Sequence, residues 1–84
     1  MAKIEIFSSP DCGYCNKAKE LLRSKGLDFE DLDVAAEVRH REDFANRLPR
    51  ARSIPQIFID GDHIGGYEDL CILADNGRLG EMTS

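Results

Sequence analysis

The sequence predicts an α/β fold: a mixed four-stranded sheet covered by helices on both faces, in the order βαβαββα, with residues 1–84 forming one domain. Three observations lead there. Ile4 and Ile6 alternate with polar neighbours in KIEIF, and an apolar stripe at helical spacing follows directly in CNKAKELL. Further on, PQIFIDGDHIGG places an Asp-Gly pair between two short apolar runs, the pattern of a tight β-hairpin. A strand-helix-strand start calls for parallel strands joined by a right-handed crossover. A terminal hairpin then adds antiparallel strands.

The first strand, Ile4 to Phe7, is expected to bury one face, and Ser9-Pro10-Asp11 breaks it. From Gly13, residues Cys15, Ala18, Leu21 and Leu22 share one side of a helix, with Lys17, Lys19, Glu20 and Arg23 on the other. Gly26 stops this helix, and Arg23 and Lys25 suit its negative end. Leu27, Phe29, Leu32 and Val34 suggest a second, less regular strand. Val38, Arg41, Phe44, Ala45 and Leu48 read as one side of a second helix, ended by Pro49, and PRARS as a loop. After the hairpin, Leu70, Leu73 and Ala74 mark one face of a helix from Tyr67 to Asn76, closed by Asn76-Gly77.

The bulk properties narrow the function classes. A formal charge of −5 argues against general nucleic-acid binding, which requires phosphate neutralisation by Lys and Arg. The charge is uneven: Arg39, His40, Arg41, Arg47, Arg50 and Arg52 fall within one segment, either a solvated surface or a patch for a small anion. No apolar run approaches the roughly 18 residues of a membrane span. MAKIEIFSS lacks the pattern of a cleavable signal, so a cytoplasmic location is expected.

Three cysteines in a reducing compartment do not make a disulfide scaffold, but Cys12 and Cys15 stand at C-x-x-C spacing in SPDCGYCNKAK. Zinc normally takes four ligands; only Cys71, His40 and His63 remain, and none forms a second close pair. Two unrelated cysteines would carry no chemistry. A working redox pair is the favoured reading. The nucleophile of disulfide exchange is a thiolate, and Cys12 lies at a helix start, where free N–H groups and the dipole favour negative charge. That end supplies at most about 2 kcal/mol, so N–H groups of Tyr14 and Cys15 or a nearby cation must add to it. Asp11 is expected to face solvent or to accept helix N–H bonds. Cys15, one turn later on the apolar side, is expected to be buried and protonated. Cys12 therefore attacks and Cys15 resolves. Cys71 reads as a small core filler and His63 as a hairpin surface residue.

With CGYC, the segments SIPQIFI and GGYEDL make a set that resembles the glutaredoxins, whose usual forms are C-P-Y-C, T-V-P-Q-I-F-I and G-G-x-D-D-L or G-G-Y-T-D. The likeness runs from Ile4 to about Leu79. It implies a thioredoxin-like fold and a dithiol, glutathione-dependent thiol-disulfide oxidoreductase, reducing protein disulfides and glutathione mixed disulfides. By that resemblance Pro55 is a cis-proline that exposes the Ile54 backbone to the cysteine of glutathione. Tyr14 shapes the groove beside the sulfur, Gly66, Tyr67, Glu68 and Asp69 hold the γ-glutamyl end, and Arg41 or Arg39 meets the glycine carboxylate. Its partners would be glutathione and disulfide-containing or glutathionylated proteins, ribonucleotide reductase among the candidates, and the chain would act as a monomer. Gly13 replaces the usual proline. Some family members with a non-proline residue there bridge a [2Fe–2S] cluster through the first cysteine and glutathione, so a cluster carrier is one alternative. A redoxin reduced by thioredoxin reductase is another.

Overall fold

The computed structural model describes residues 2–84. Among these the chain runs β1 (Ile4–Ser8), α1 (Gly13–Ser24), β2 (Glu30–Asp33), α2 (Val38–Arg47), β3 (Gln56–Ile59), β4 (Asp62–Gly65), α3 (Tyr67–Asp75) and α4 (Arg78–Met82). The strands form one sheet in the order β2-β1-β3-β4. β1 pairs parallel with β2 and antiparallel with β3, and β4 pairs antiparallel with β3. The expected mixed sheet is present, with one element more than expected: α4 follows α3 directly. Five residues are too few to hold a helix on their own. Leu79, 2% exposed, anchors α4 in the core, and full burial of a leucine is worth about 1.5–3 kcal/mol.

The alternation of β1 divides the interior in two. Ile4 and Ile6 pack with Ala18, Leu22, Ile57, Ile59, Leu70 and Leu79 on the face covered by α1, α3 and α4. Phe7 packs with Leu32 and Phe58 on the other face, beneath Phe44 and Leu48. The rings of Phe44 and Phe58 meet Phe7 edge-on, with centroids 5.3 Å and 6.0 Å away.

The expectation that β1 buries one face is corrected: all five of its residues are buried, Glu5 and Ser8 included. β1 lies inside the sheet with helices on both sides, so a polar residue there needs an internal partner. Glu5 has one, because Arg47 donates from both terminal nitrogens to its two carboxylate oxygens at 3.0 Å each. Arg47 also covers Phe7 and Phe58, its guanidinium carbon 5.5 Å and 5.1 Å from the ring centroids. The inward side of the second helix is corrected too. Val38, Arg41 and Ala45 are exposed, and α2 contacts the sheet through Phe44 and Arg47, with Leu48 following.

β2 is shorter than its apolar residues suggested. Pairing starts at Glu30 opposite Glu5, and Leu27 and Phe29 precede it as partly buried residues against the α1-side core. α1 ends as expected: Gly26 N–H bonds to Arg23 O and Leu27 N–H reaches back to Leu22 O, the paired bonds of a glycine-terminated helix. In the hairpin, Asp60 and Gly61 take φ values of 51° and 85°, as a two-residue turn with the twist of its strands requires.

Candidate active site

β1 delivers the chain to the end of the sheet, and the loop from Ser9 turns it into α1. Cys12 N–H bonds to Ser9 O at 3.3 Å, and Cys12 forms the N-cap of the helix in an extended conformation. Its sulfur takes the place of the usual capping oxygen and accepts from Cys15 N–H at 3.2 Å. The Cys12 thiol donates to Ile54 O at 3.7 Å, which ties the cysteine loop to the segment before β3. Asp11, beside it, is exposed.

The two sulfurs differ in environment. Cys12 is partly exposed and Cys15 is 0% exposed, and both are free thiols. Burial, reinforced by the hydrogen bond with Cys12, pushes the Cys15 thiol up to about 12, so at neutral pH it keeps its proton. One sulfur is therefore reachable and the other waits behind it.

Beside Cys12 lies an open groove of ≈ 560 Å³ whose walls come from three stretches of sequence. Tyr14 stands on one side, Ser53 to Gln56 and His63 on another, and Gly65 to Asp69 on the third. The Ile54–Pro55 peptide bond is cis. Tyr14 is 59% exposed; its ring lies 5.9 Å from that of Tyr67 and under the Lys17 ammonium at 5.3 Å. At the far wall α3 begins at Tyr67, and the Asp69 carboxylate accepts from Gly66 N–H at 3.0 Å. The N–H groups of the first turn of α3 have no partner within the helix, and Gly66 to Asp69, which carry them, line the groove.

Gly65 has φ 122°, a conformation open to glycine, and a Cβ there would run into the Asp69 carboxylate. Gly65→Ala is accordingly expected to dislodge Asp69 from Gly66 and to cost about 1–2 kcal/mol through backbone strain and the lost hydrogen bond. Urea unfolding measures the loss, and the Gly66 amide shift in an NMR spectrum reports the displaced carboxylate.

Of the residues expected at the site, Tyr14, Ile54, Pro55, Gly66, Tyr67, Glu68 and Asp69 come together around this groove. Arg41 does not line it. Arg41 is exposed and donates to Val34 O at 3.3 Å, at the same end of the sheet because Val34 N–H bonds Ser8 O. Arg39 is held by Glu37. His63 is exposed as expected but also lines the groove, where its Nε2 lies 2.7 Å from Gln56 Oε1. The motifs of the sequence place neither His63 nor Gln56 at a groove. The signal was present in the hairpin spacing, which sets His63 against Phe58, two residues beyond Gln56 on the same face. Cys71 is not a core filler: it is partly exposed on α3, one turn beyond Tyr67. Among the described residues no three His, Cys, Asp or Glu side chains gather as metal ligands, and no helix is long and apolar enough to cross a membrane.

A sheet with a reachable thiol at a helix start, a buried partner one turn on and a groove alongside defines a thiol-disulfide oxidoreductase of thioredoxin-like fold. The glutaredoxin family model matches residues 4–64. Glutaredoxin 3 of Escherichia coli strain K12 is 44% identical over 79 residues, covering 94% of each chain. The solution structure of glutaredoxin from Brucella melitensis superposes with a TM-score of 0.81 at 38% identity, over 99% of this chain and 89% of that one. The crystal structure of a buckwheat glutaredoxin–glutathione complex gives a TM-score of 0.88 at 28% identity, over 98% of this chain and 76% of that one. The chain belongs to the glutaredoxin family.

Proposed function

We propose that this oxidoreductase uses glutathione, reducing protein disulfides and glutathione mixed disulfides in the cytoplasm as a monomer. The observation that carries the reading is the groove between Ile54–Pro55 and Gly66–Asp69, which opens beside the Cys12 sulfur. Its chemistry suits one tripeptide. First-turn N–H groups of α3 suit an α-carboxylate, and the Asp69 carboxylate suits the neighbouring ammonium. Ile54 O, which accepts from the Cys12 thiol, becomes available to the peptide N–H of the ligand's cysteine once Cys12 ionises. The buckwheat family member, described as a glutathione complex, supports the same assignment.

In the reaction the Cys12 thiolate attacks a disulfide sulfur, joins the substrate as a mixed disulfide and releases the other thiol. With a glutathionylated substrate, glutathione stays on Cys12 and a second glutathione removes it. With a protein disulfide, Cys15 displaces the substrate and forms the Cys12–Cys15 bond, which glutathione then reduces. Glutaredoxin potentials of about −200 to −230 mV lie at or above that of the cytosolic glutathione pool, so the pool can drive the cycle.

Two measurements test this. Glutathione added to the reduced protein is expected to shift the NMR amides of Ile54, Gly66, Tyr67 and Asp69, and glutathione with glutathione reductase is expected to sustain disulfide reduction. Silent amides, together with turnover only when thioredoxin reductase is supplied, would instead establish the redoxin alternative. Gly13 bears on the cluster alternative, because a Cβ there meets nothing within 4 Å and the space beside Cys12 is open. Cys12 would be the chain's ligand to a [2Fe–2S] cluster, since Cys15 is buried. A protein that stays colourless and monomeric when purified without oxygen, with iron, sulfide and glutathione supplied, counts against that role.

A further inference from the structure

Beneath the cysteine helix lie three joined polar groups that do not line the groove. Lys19 is 8% exposed and its Nζ sits 2.7 Å from Asp31 Oδ2. The other Asp31 oxygen accepts from the hydroxyl of Ser8, which is fully buried. The three residues come from α1, β2 and β1, the elements that frame the active-site loop. Lys19 follows Cys15 by four residues, one helical turn, and its expected place on the polar side of α1 is corrected: it is buried on the same side as Cys15. Ser8 leads into Ser9, whose carbonyl takes the Cys12 N–H and whose backbone lies against the Cys15 thiol. Stability is a weak reason to keep an ion pair here, since the Asp31 side chain is 41% exposed and a pair open to water on one side is worth little.

We propose that Lys19 is a positioning residue for the second half of the exchange: its ammonium favours the Cys15 thiolate as that sulfur attacks the Cys12 mixed disulfide, and the Asp31 carboxylate limits how much of that charge Cys15 feels. The proposal rests on the reading of Cys15 as the resolving cysteine. In the step concerned Cys15 gives up its proton and its sulfur attacks Cys12 Sγ. The Cys12–Cys15 bond forms, the bond from Cys12 to the substrate sulfur breaks, and the departing thiolate takes up one proton. The two cysteines are oxidised as the substrate is reduced.

The groups acting on Cys15 can be named. Cys12 and Lys19 belong to its own helix, the Ser9 backbone comes from the preceding loop, and Asp31 of β2 acts through Lys19. The core partners of α1 from β3 and α3 (Ile57, Ile59 and Leu70) are apolar. Lys19 favours the thiolate against a larger burial effect, so its removal is expected to slow the step rather than abolish it.

The test isolates the resolving step in the full chain. Mixing excess reduced protein with 5,5′-dithiobis(2-nitrobenzoate) loads Cys12, and Cys15 then releases the coloured thionitrobenzoate in a first-order phase followed by stopped flow across pH 6–10. Lys19→Met is expected to slow this phase roughly three- to tenfold at neutral pH and to move its pH midpoint upward by half to one unit. Asp31→Asn is expected to act oppositely, with a faster phase and a lower midpoint, and Lys19→Arg to stay near the parent protein. A packing role would slow both neutral variants without moving the midpoint, and that result, or no change in either, overturns the proposal. If Lys19→Met does not fold, Asp31→Asn decides alone, because a slower or unchanged phase contradicts it. The underlying reading fails separately, if the parent protein releases the second thiolate no faster than Cys15→Ser.

Discussion

Cys12→Ser is expected to abolish turnover with a glutathionylated substrate, a loss on the order of 10³-fold or more, as when a covalent nucleophile is removed. A serine hydroxyl stays protonated in this setting and cannot take the thiolate's place. Cys15→Ser is expected to retain much of the same activity. Cys15 is buried and holds its proton at neutral pH, and removal of glutathione from a substrate needs only the Cys12 mixed disulfide and a second glutathione. Reduction of a protein disulfide should separate the variants differently, because Cys15→Ser leaves the substrate tethered to Cys12. Initial rates with a glutathionylated peptide and with a disulfide-bonded protein provide the comparison, and equal loss in both single variants would contradict the assigned roles.

The second large effect is on stability. Arg47→Met is expected to destabilise the fold by about 3–5 kcal/mol, the usual cost of stranding one partner of a buried ion pair. Glu5 lies inside β1 with its side chain 6% exposed, and Arg47 is the partner bonded to both of its oxygens, while the exposed Lys3 ammonium stands 3.9 Å from one of them, too far to hydrogen-bond it. A small domain has about 5–15 kcal/mol in total, so the variant would be close to unfolding. Glu5→Gln together with Arg47→Met should recover part of the loss, because an uncharged amide is cheaper to bury than a carboxylate without a hydrogen-bonded cation.

The pH dependence gives the sign independently. The Arg47 hydrogen bond outweighs burial and holds the Glu5 carboxyl below its ordinary value. The parent protein therefore has this stabilisation in full above the unfolded glutamate value, near 4.3, and loses it as pH falls through the lower folded value. Without Arg47, burial would raise the carboxyl instead. The variant should then gain relative stability as pH drops from neutral toward 5, the reverse of the parent. Urea unfolding between pH 3 and 8 distinguishes the two slopes.

Local signals account for much of what was legible in advance. The period-2 run at Ile4 and Ile6, the helical stripe from Cys15 to Leu22 and the Asp60-Gly61 turn each depend on neighbours a few residues away, and each element formed where those signals stood. The groove was legible only as a set: CGYC, SIPQ and GGYED are distant in the chain, and their resemblance to one family implied that they meet. Glu5 and Arg47 left no such trace. Their pairing spans 42 residues and depends on β1 lying inside the sheet, which alternation alone does not say. The inward side of α2 differs from its apolar pattern for the same reason, since Arg47 turns in to meet a buried acid that a helical pattern cannot register. Gln56 and His63 joined the groove through the register of a hairpin whose existence was plain and whose facing residues were not.

By itself, the sequence determined the order of strands and helices, the closely spaced thiols at a helix start and the family to which they belong, because propensity, periodicity and motif spacing act over short stretches of chain. Only the tertiary structure decided which polar residues are buried and what joins them: Glu5 held by Arg47, and Lys19 held by Asp31. Burial and electrostatics are set by what the fold stacks over a residue, and they turn two similar sulfurs into an attacker and a reserve.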